Sequence, residues 1–303
     1  MTLIKKTIVP LIFILSCGVA KAQQDPMYTH YMYNTLVINP AYAGSRDALT
    51  VTALHRSQWV SYKGAPMVQT LNMHTPLRNE HLGIGLSVSN DKIGVSNTTS
   101  AVVDFAYILK LNEKSKLALG LSAGANILQA NLSTVQLDQQ NDPSFQNDVN
   151  NGITPNFGFG AYYSRARFYA GLSVPKIMQN NILDGKQQRH YYLIAGTVIK
   201  LSDDLDFKPT TFIKVTSAAP VQADVTASFL IMDKILLGAM FRTGDAFGAL
   251  VGLNITDQFH VGYSYDYSYG LKNFKYHQGS HEIMLRYDFI FSSKKQIRTP
   301  RYF

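Results

Sequence analysis

The sequence predicts an all-β protein, a transmembrane antiparallel β-barrel of the outer membrane with about fourteen strands. Apolar residues alternate with small or polar ones along most of the chain after residue 47. Most of the alternating segments have the roughly 9–11 residues that a tilted strand needs to cross a bilayer. The connections alternate between short polar turns and longer loops, as in outer-membrane barrels. With 16% charged and 12% aromatic residues, the chain is unlike a disordered protein.

The N-terminus predicts a secretory signal peptide over residues 1–22. Two lysines precede a short apolar run, and a small-x-small site predicts cleavage between Ala22 and Gln23. The alternative is a lipoprotein signal that ends at Cys17, but Leu15 fits such a signal poorly in its position. Because Cys17 is the only cysteine of the chain, cleavage after Ala22 leaves no thiol, disulfide or cysteine–zinc chemistry in the mature protein.

Alternation assigns each side chain of a strand to one of two faces. In a membrane barrel the apolar face contacts lipid and the polar face lines the lumen. The residues expected to face lipid include Leu119, Leu121, Tyr263, Tyr265, Leu285 and Phe289. The charged residues expected to face the lumen are Asp104, Lys214, Asp224, Arg242, Asp266, Glu282, Arg286 and Asp288. Such charges can pair across the lumen, line a pathway or form a hydrated wall.

The chain divides into four parts. Residues 1–22 are the signal peptide, 23–47 an N-terminal segment, 48–291 the barrel, and 292–303 a periplasmic tail. The segment 23–47 alternates too little for a barrel strand and is too aromatic to stay in solvent. It is expected either to plug the periplasmic end of the barrel or to dock a partner, together with rim residues near the first extracellular loop. The possible partner-binding residues are Tyr28, Tyr31, Tyr33, Tyr42, Arg56 and Trp59.

A secreted β-sandwich or propeller would show the same alternation, because a protein core hides apolar side chains as lipid does. The predicted strands, however, are longer than the mode of about 5–6 residues. They also lack the charges and prolines that protect the edge strands of soluble sheets. Tyrosine and phenylalanine gather near the strand ends, as they do in interfacial girdles. These features favour the barrel.

No catalytic, metal-binding or cofactor-binding residue is predicted, and no cofactor. The eight histidines lack metal-ligand spacing and are interpreted as polar residues of the lumen or the interface. There is no Gly-x-Ser-x-Gly elbow, and the sequence reveals no serine and histidine placed together on neighbouring lipid-facing strands. The loop 133–153 contains Asp138, Asp142 and Asp148, but without the spacing of a calcium loop. The net charge of +8 includes no basic cluster, so no nucleic-acid partner is expected.

Several motifs of the chain resemble those of a known family. Residues 24–34 read QDPMYTHYMYN, residues 38–44 read INPAYAG, and residues 56–59 read RSQW. Together with the C-terminal TPRYF, this set resembles the PorP/SprF family of outer-membrane proteins of the Bacteroidetes type IX secretion system. The resemblance is densest over about residues 23–95 and at the C-terminus.

The resemblance implies a non-enzymatic barrel in outer-membrane lipid that serves the secretion and surface attachment of large adhesins, including those used in gliding motility. Its implied partners are the C-terminal sorting domain of a secreted adhesin and the type IX translocon or its periplasmic ring. The alternative is a passive outer-membrane porin or hydrophobic-solute channel, which would use the same wall around an open lumen. An embedded enzyme would need a catalytic cluster, which the sequence does not reveal.

Overall fold

The computed structural model describes residues 25–135, 145, 147–182, 185–217, 219–269 and 278–290. The predicted signal peptide, its cleavage site at Ala22 and Gln23, the loop residues Asp138 and Asp142, and the tail 292–303 lie outside these ranges. Among the described residues, no helix is long and apolar enough to cross a membrane.

Nearly all regular structure in the described part of the chain is β-strand. The strands are β1 (Leu49–Ser57), β2 (Met67–Pro76), β3 (Leu82–Ile93), β4 (Ser96–Asn112), β5 (Ser115–Ala130), β6 (Val149–Arg165), β7 (Phe168–Val174), β8 (Asn181–Ile182), β9 (Gly185–Lys186), β10 (His190–Thr197), β11 (Ile199–Lys200), β12 (Leu205–Thr216), β13 (Ala219–Ile231), β14 (Ile235–Arg242), β15 (Ala246–Asn254), β16 (Phe259–Ser268) and β17 (Ser280–Phe289). A short α-helix, α1 (Thr35–Ile38), precedes them, and 3-10 turns lie at Pro40–Tyr42 and Leu132–Thr134.

The large sheet closes into a barrel. Strand β1 pairs with both β2 and β17, and β10 pairs with β12, so that neighbouring strands run antiparallel around the whole circumference. Strand β11 continues β10 along the same partner, β12, and counts with it as one barrel strand. The barrel therefore has fourteen strands, which confirms the predicted fold. Strands β8 and β9 form a separate two-stranded hairpin between β7 and β10.

The two faces of the wall differ in polarity. On β5, the side chains of Leu119 and Leu121 are 41% and 61% exposed. Ser122, the next residue along the strand, points to the other face and is buried. Large apolar side chains point outward on nearly every strand, including Tyr263, Leu285 and Phe289. A continuous apolar exterior of this size is stable in lipid and not in water.

The barrel has two different ends. We call the end where β1 begins and β17 ends the near end, and the opposite one the far end. Short turns close the near end, as expected, but three far-end connections, 94–95, 217–218 and 243–245, are also short. The long far-end loop is shorter than predicted, because β6 already begins at Val149 and pairs with β5 there. Residues 149–153, which the sequence predicts to be part of the loop 133–153, therefore belong to β6.

The N-terminal segment lies inside the barrel. At its C-terminal side, Arg46 contacts Asp288 near the end of β17. At its N-terminal side, Asp25 contacts Lys176 and His190, which lie at the far end. The segment therefore runs along the lumen from the far end to the near end, rather than plugging only the end at which β1 begins. The path depends on contacts across the barrel between residues far apart in the chain, which the local sequence pattern does not encode.

Candidate functional site: the lumen of the barrel

Residues 25–47 fill the lumen and are almost entirely buried. Tyr31 is 1% exposed and Ala41 and Ala43 are 0% exposed. We call residues 25–47 the lumen segment. Its side chains and the inward side chains of the wall form one hydrophobic cluster that includes Phe212 and Met284. The interior of this barrel is a packed core with polar networks at both ends.

Toward the near end, the lumen segment lies directly against glycines of the wall. A Cβ atom placed on Gly120 of β5 would lie 2.5 Å from Ala41 Cα, and one on Gly160 of β6 would lie 3.0 Å from Asn39 Cγ. Ordinary carbon contacts begin at about 3.4 Å. Only glycine lets the backbone of the segment approach this closely. These inward-facing glycines therefore form a seat for residues 39–44.

Hydrogen bonds hold this part of the segment in place. Asn39 Nδ2 donates to the carbonyl oxygen of Ala161 at 3.1 Å, while Asn39 Oδ1 accepts from the Ala41 amide at 3.0 Å. The second bond caps the 3-10 turn in which Pro40 takes the first position, where its missing N–H costs nothing. Ser173 Oγ donates to the Ile38 carbonyl oxygen at 2.5 Å. The Asn-Pro-Ala-Tyr motif is thus a turn shaped to this wall.

At the near end an ion pair ties the segment to the last strand. Arg46 donates twice to Asp288, from Nε at 3.2 Å and from Nη2 at 2.8 Å. Thr50 Oγ1 donates to the same carboxylate at 2.7 Å. All three side chains are buried. Arg46 is a contact residue that sequence analysis missed, because nothing in the spacing of residues 46 and 288 links them.

In the middle of the lumen, tyrosines of the segment pack between wall side chains. Tyr31 stacks on Phe212 with ring centroids 5.1 Å apart, and its hydroxyl lies 2.8 Å from Thr210 Oγ1. The Tyr33 ring lies 5.1 Å from the Arg286 guanidinium and 5.8 Å from Lys208 Nζ, within cation–π range.

A buried charged network binds the segment toward the far end. Glu282 accepts from the backbone amides of Thr29 and His30 at 3.0 and 2.7 Å, and from His30 Nδ1 at 2.7 Å. Arg56 lies 3.2 Å from Glu282 and 2.7 Å from Asp266. Thr29 Oγ1 donates to Asp266 at 2.6 Å. Buried charges require such partners, so the network fixes the segment to β1, β16 and β17 together.

The first described residue of the segment, Asp25, is bound to the wall at the far mouth. The Asp25 carboxylate lies 2.9 Å from Lys176 Nζ and 3.5 Å from His190 Nδ1, and Tyr192 donates to it at 3.2 Å. Burial acts to raise the pKa of Asp25, but the charges of Lys176 and His190 outweigh burial and hold the pKa below its usual range. Asp25 is therefore ionised at neutral pH and holds the segment at this mouth.

The eight predicted lumen residues are all buried, at no more than 8% exposure each. Arg242 donates to both Asp224 oxygens, with distances of 2.8 and 2.9 Å, and also reaches the Tyr28 carbonyl oxygen. Lys214 Nζ lies 3.5 Å from the Asp25 carbonyl oxygen. No hydrogen-bond partner among the described residues is found for Asp104 Oδ2, Asp266 Oδ1, or Arg286 Nε and Nη1. The charges mostly hold the segment and one another rather than lining an open pathway.

The six possible partner-binding residues are not gathered on one surface. Tyr28, Tyr31, Tyr33 and Tyr42 are buried in the lumen. Arg56, expected at the rim, is 2% exposed and belongs to the Glu282 network, because its parity on β1 points inward. Trp59 alone lies at the far-end rim and is half-buried, with its Nε1 donating to Ser268 Oγ at 3.1 Å. In this conformation a partner can reach only Trp59 of the six.

The predicted absence of metal ligands can be compared with the structure only for the described residues. Among them, no group of three or more histidine, cysteine, aspartate or glutamate residues could hold a metal ion. In the loop considered for calcium, Asp148 accepts from the Ser133 amide at 2.9 Å, whereas Asp138 and Asp142 lie outside the described residues.

Comparison with known proteins places the barrel among membrane proteins. Residues 20–287 match the family model described as "Type IX secretion system membrane protein PorP/SprF". No curated protein matches the chain.

Among solved structures, the CymD monoaromatic hydrocarbon channel is similar with a TM-score of 0.50 and 10% identity, over 84% of this chain and 92% of that chain. Omp33 of Acinetobacter baumannii gives a TM-score of 0.47 and 11% identity, over 81% of this chain and 100% of that chain. The NanC porin gives 0.43 and 11%, over 80% and 100%. At such low identity the likeness to CymD concerns the fold alone.

The family match extends over both features that distinguish this molecule. It includes the lumen segment, with the motif that sits on the wall glycines, and nearly every strand of the barrel. It indicates no catalytic role. The chain therefore forms an outer-membrane β-barrel and belongs to the PorP/SprF family of type IX secretion system membrane proteins.

Proposed function

We propose that this barrel supports the secretion and cell-surface attachment of a large adhesin-type cargo, in gliding motility or adhesion, by binding the cargo's C-terminal sorting domain. Membership of a type IX secretion family supports a role in secretion. The observation that carries the binding role is the filled lumen, in which Tyr31, Ala41 and Met284 are all at most 1% exposed. A barrel whose lumen is occupied by its own residues 25–47 is suited to holding a partner rather than to conducting one.

The far end is the side on which the cargo is expected to bind. Bacterial barrels place short turns in the periplasm and longer loops outside the cell, which orients the near end toward the periplasm. Strands β4, β5 and β6 have 17, 16 and 17 residues, more than the roughly 9–11 that cross a bilayer. At the far end β4 still pairs with β5 at Ser96 and Ala130, and β5 pairs with β6 at Ala130 and Val149, which gives a sheet on which a partner can rest.

Trp59 is the proposed centre of cargo contact. Its backbone φ is 45° and that of Ser61 is 77°, which non-glycine residues rarely adopt. Strained backbone is often kept where it serves binding. Tryptophan is also the residue type most enriched at the energetic centre of interfaces. We expect Trp59→Ala to reduce adhesin on the cell surface several-fold and Trp59→Phe to retain it, with equal amounts of barrel in both strains.

The near end is the proposed contact for the translocon or its periplasmic ring. Exposed charges of both signs crowd its turns, and they are separated around the rim. Cations predominate between β2 and β11, at Arg78, Lys110, Lys114, Arg165, Arg167 and Lys200. Carboxylates predominate between β11 and β16, at Asp203, Asp204, Asp233 and Asp257. Such a two-signed rim orients a partner of complementary charge.

Deletion of residues 26–44 tests whether the lumen segment is a plug or part of the docking surface. If the segment is a plug, the deletion opens a conductance in planar bilayers or lowers the temperature at which the barrel unfolds. If the segment binds cargo, the barrel stays closed and folded while the adhesin is lost from the surface. A deletion that changes neither property contradicts both roles.

A passive porin or hydrophobic-solute channel is the competing function, and the packed lumen argues against it. Conductance of the intact protein decides between the two. A steady current through the wild-type barrel would overturn the binding role as the sole function.

A further inference from the structure

Three polar side chains interrupt the apolar outer wall where β1 and β2 approach the far end. His55 and Ser57 are two residues apart on β1 and therefore lie on the same face. Gln69 lies directly opposite His55 on β2. All three belong to the outward parity, since the residue between His55 and Ser57 is the buried Arg56. They are accessible, with Gln69 exposed and the other two half-buried.

The three side chains are joined in a line by hydrogen bonds. His55 Nε2 lies 3.0 Å from Ser57 Oγ, and His55 Nδ1 lies 3.3 Å from the Gln69 amide. The oxygen and nitrogen of a glutamine amide are interchangeable by a half-turn, and this turn costs Gln69 no other hydrogen bond among the described residues. With its oxygen toward the ring, Gln69 accepts the Nδ1 proton. Nε2 is then free to accept the hydroxyl proton of Ser57.

This is the arrangement of a serine hydrolase, in which a third group orients a histidine that activates a serine. An amide takes the third position in papain-like enzymes, and triads are recognised by geometry rather than by chain order or fold. We propose that Ser57, His55 and Gln69 form a catalytic triad on the outer wall that hydrolyses carboxylic esters of the acyl chains of membrane lipids.

The height of the triad on the wall points to this class of substrate. Below it, the outward residues of the same strands are apolar, with Val51 and Ala53 on β1 and Leu71 and Met73 on β2. The triad itself lies where most outward residues become polar, with Asn90 and Lys92 on β3, while Met67 opposite Ser57 on β2 is an apolar exception. Acyl esters of lipids lie at the same boundary between hydrocarbon and headgroup. A lipid beside this wall therefore brings its ester group to the level of Ser57.

A donor for the developing oxyanion is present on the neighbouring strand. His281 of β17 pairs directly with Ser57 across the ladder, and side chains opposed in this way have Cβ atoms about 4.5–5.5 Å apart. The Tyr263 hydroxyl lies 2.7 Å from His281 Nδ1. When it donates to Nδ1, the proton of His281 must be on Nε2, which can then donate to a substrate oxygen. Tyr263 is in this sense a positioning residue.

The reaction is a hydrolysis in two steps. Ser57 Oγ attacks the ester carbonyl carbon while His55 Nε2 takes its proton, and His281 stabilises the negative oxygen. The tetrahedral intermediate expels the lipid alcohol, which receives that proton from His55, and leaves an acyl group on Ser57. Water then attacks the acyl group and gives its proton to His55. The fatty acid leaves, and the proton returns to Ser57.

A fluorophosphonate probe, which labels activated serines, tests the first step on the purified full-length mature protein in phosphatidylethanolamine vesicles. We expect one label per wild-type barrel and at least 100-fold slower labelling of Ser57→Ala and His55→Ala. Ser217→Ala is the matched control, since the exposed Ser217 bonds Gln188 rather than a histidine. It should be labelled as the wild type is. Resistance of the unheated barrel to SDS shows in each case that the protein is folded.

Release of fatty acid tests the complete reaction and its substrate. Phosphatidylethanolamine and lipopolysaccharide are offered in separate vesicles, so that the source of the ester is distinguished. Gln69→Glu should keep the hydrolysis, whereas Gln69→Leu should lower kcat at least tenfold, with little change in KM and a shifted pH profile, as loss of a positioning residue predicts. A folded wild-type barrel that neither takes the label nor releases fatty acid overturns the proposal, as does equal activity of Ser57→Ala.

Discussion

The close contact between the lumen segment and the wall glycines predicts that a methyl group added at Gly120 displaces the segment and destabilises the barrel. A Cβ on Gly120 would lie 2.5 Å from Ala41 Cα, which is 0.9 Å short of the 3.4 Å at which ordinary contacts begin. The atoms it meets are backbone, so no side-chain rotation relieves the overlap. In Gly120→Ala the segment must therefore move away from β5 as a whole.

The cost of that movement has two parts. Overpacking a well-packed core costs roughly 1–3 kcal/mol. The shift also strains the bonds from Asn39 to Ala161 and from Ser173 to Ile38, each worth roughly 0.5–1.5 kcal/mol. We expect a total of about 2–6 kcal/mol. At about 2–4 °C per kcal/mol for a domain of 150–250 residues, the unfolding temperature should fall by at least about 4 °C.

Loss of SDS resistance on heating measures this temperature, and conductance in planar bilayers detects a loosened segment. Gly152→Ala on β6 is the matched control, because the nearest atom to its new Cβ would be 3.9 Å away. If Gly120→Ala unfolds at the same temperature as Gly152→Ala and conducts no current, the segment does not occupy the seat described above.

Three further predictions concern the charges and the lipid face. Glu282→Gln breaks a buried network that includes Arg56 and should destabilise the barrel by about 3 kcal/mol, measured by the same heating assay. Leu121→Arg places a charge in lipid at a cost of roughly 2–4 kcal/mol and should lower the yield of assembled barrel. Asp25 has a lowered pKa, so its stabilising ion pair is complete above its usual value of 3.8 and is lost as the pH falls through the lower, folded value. Deuterium labelling of the backbone amides of residues 27–29, relative to the intrinsic exchange rate at each pH, should therefore become faster as the pH is lowered below 3.8.

Each of these has its own control. Glu80→Gln removes an exposed ion pair to Lys110 and should change stability by less than about 1 kcal/mol; an equal loss in both variants would show that burial is not the cause. Gln129→Arg lies on the same face of β5 but is polar and exposed at the far end, so assembly as poor as that of Leu121→Arg would contradict the placement of lipid. In Asp25→Asn the acid-dependent labelling should disappear, and its persistence would assign the effect to another group.

The sequence alone predicts the barrel because a strand repeats every two residues. The alternation of Leu119 and Leu121 with glycine and serine identifies both the strands and the face that meets lipid. The same parity places charges such as Asp224 and Glu282 on the inner face, without saying what they contact. Segment 23–47 stands out for its tyrosines and its lack of alternation, yet composition could not choose between a plug and a docking surface.

Only the tertiary structure brings distant residues together. Arg46 meets Asp288, and Glu282 meets Thr29 and His30, at sequence separations of up to 253 residues. His55 and Ser57 share a face by their spacing, but Gln69 and His281 join them through strand register. A local period determines which face a side chain takes, whereas its partner across the lumen depends on how all fourteen strands close. Thus the alternation of residues determines which side chains form each face of the barrel wall. The closure of the barrel and the register of its strands determine the path of the lumen segment and the contacts of each polar side chain.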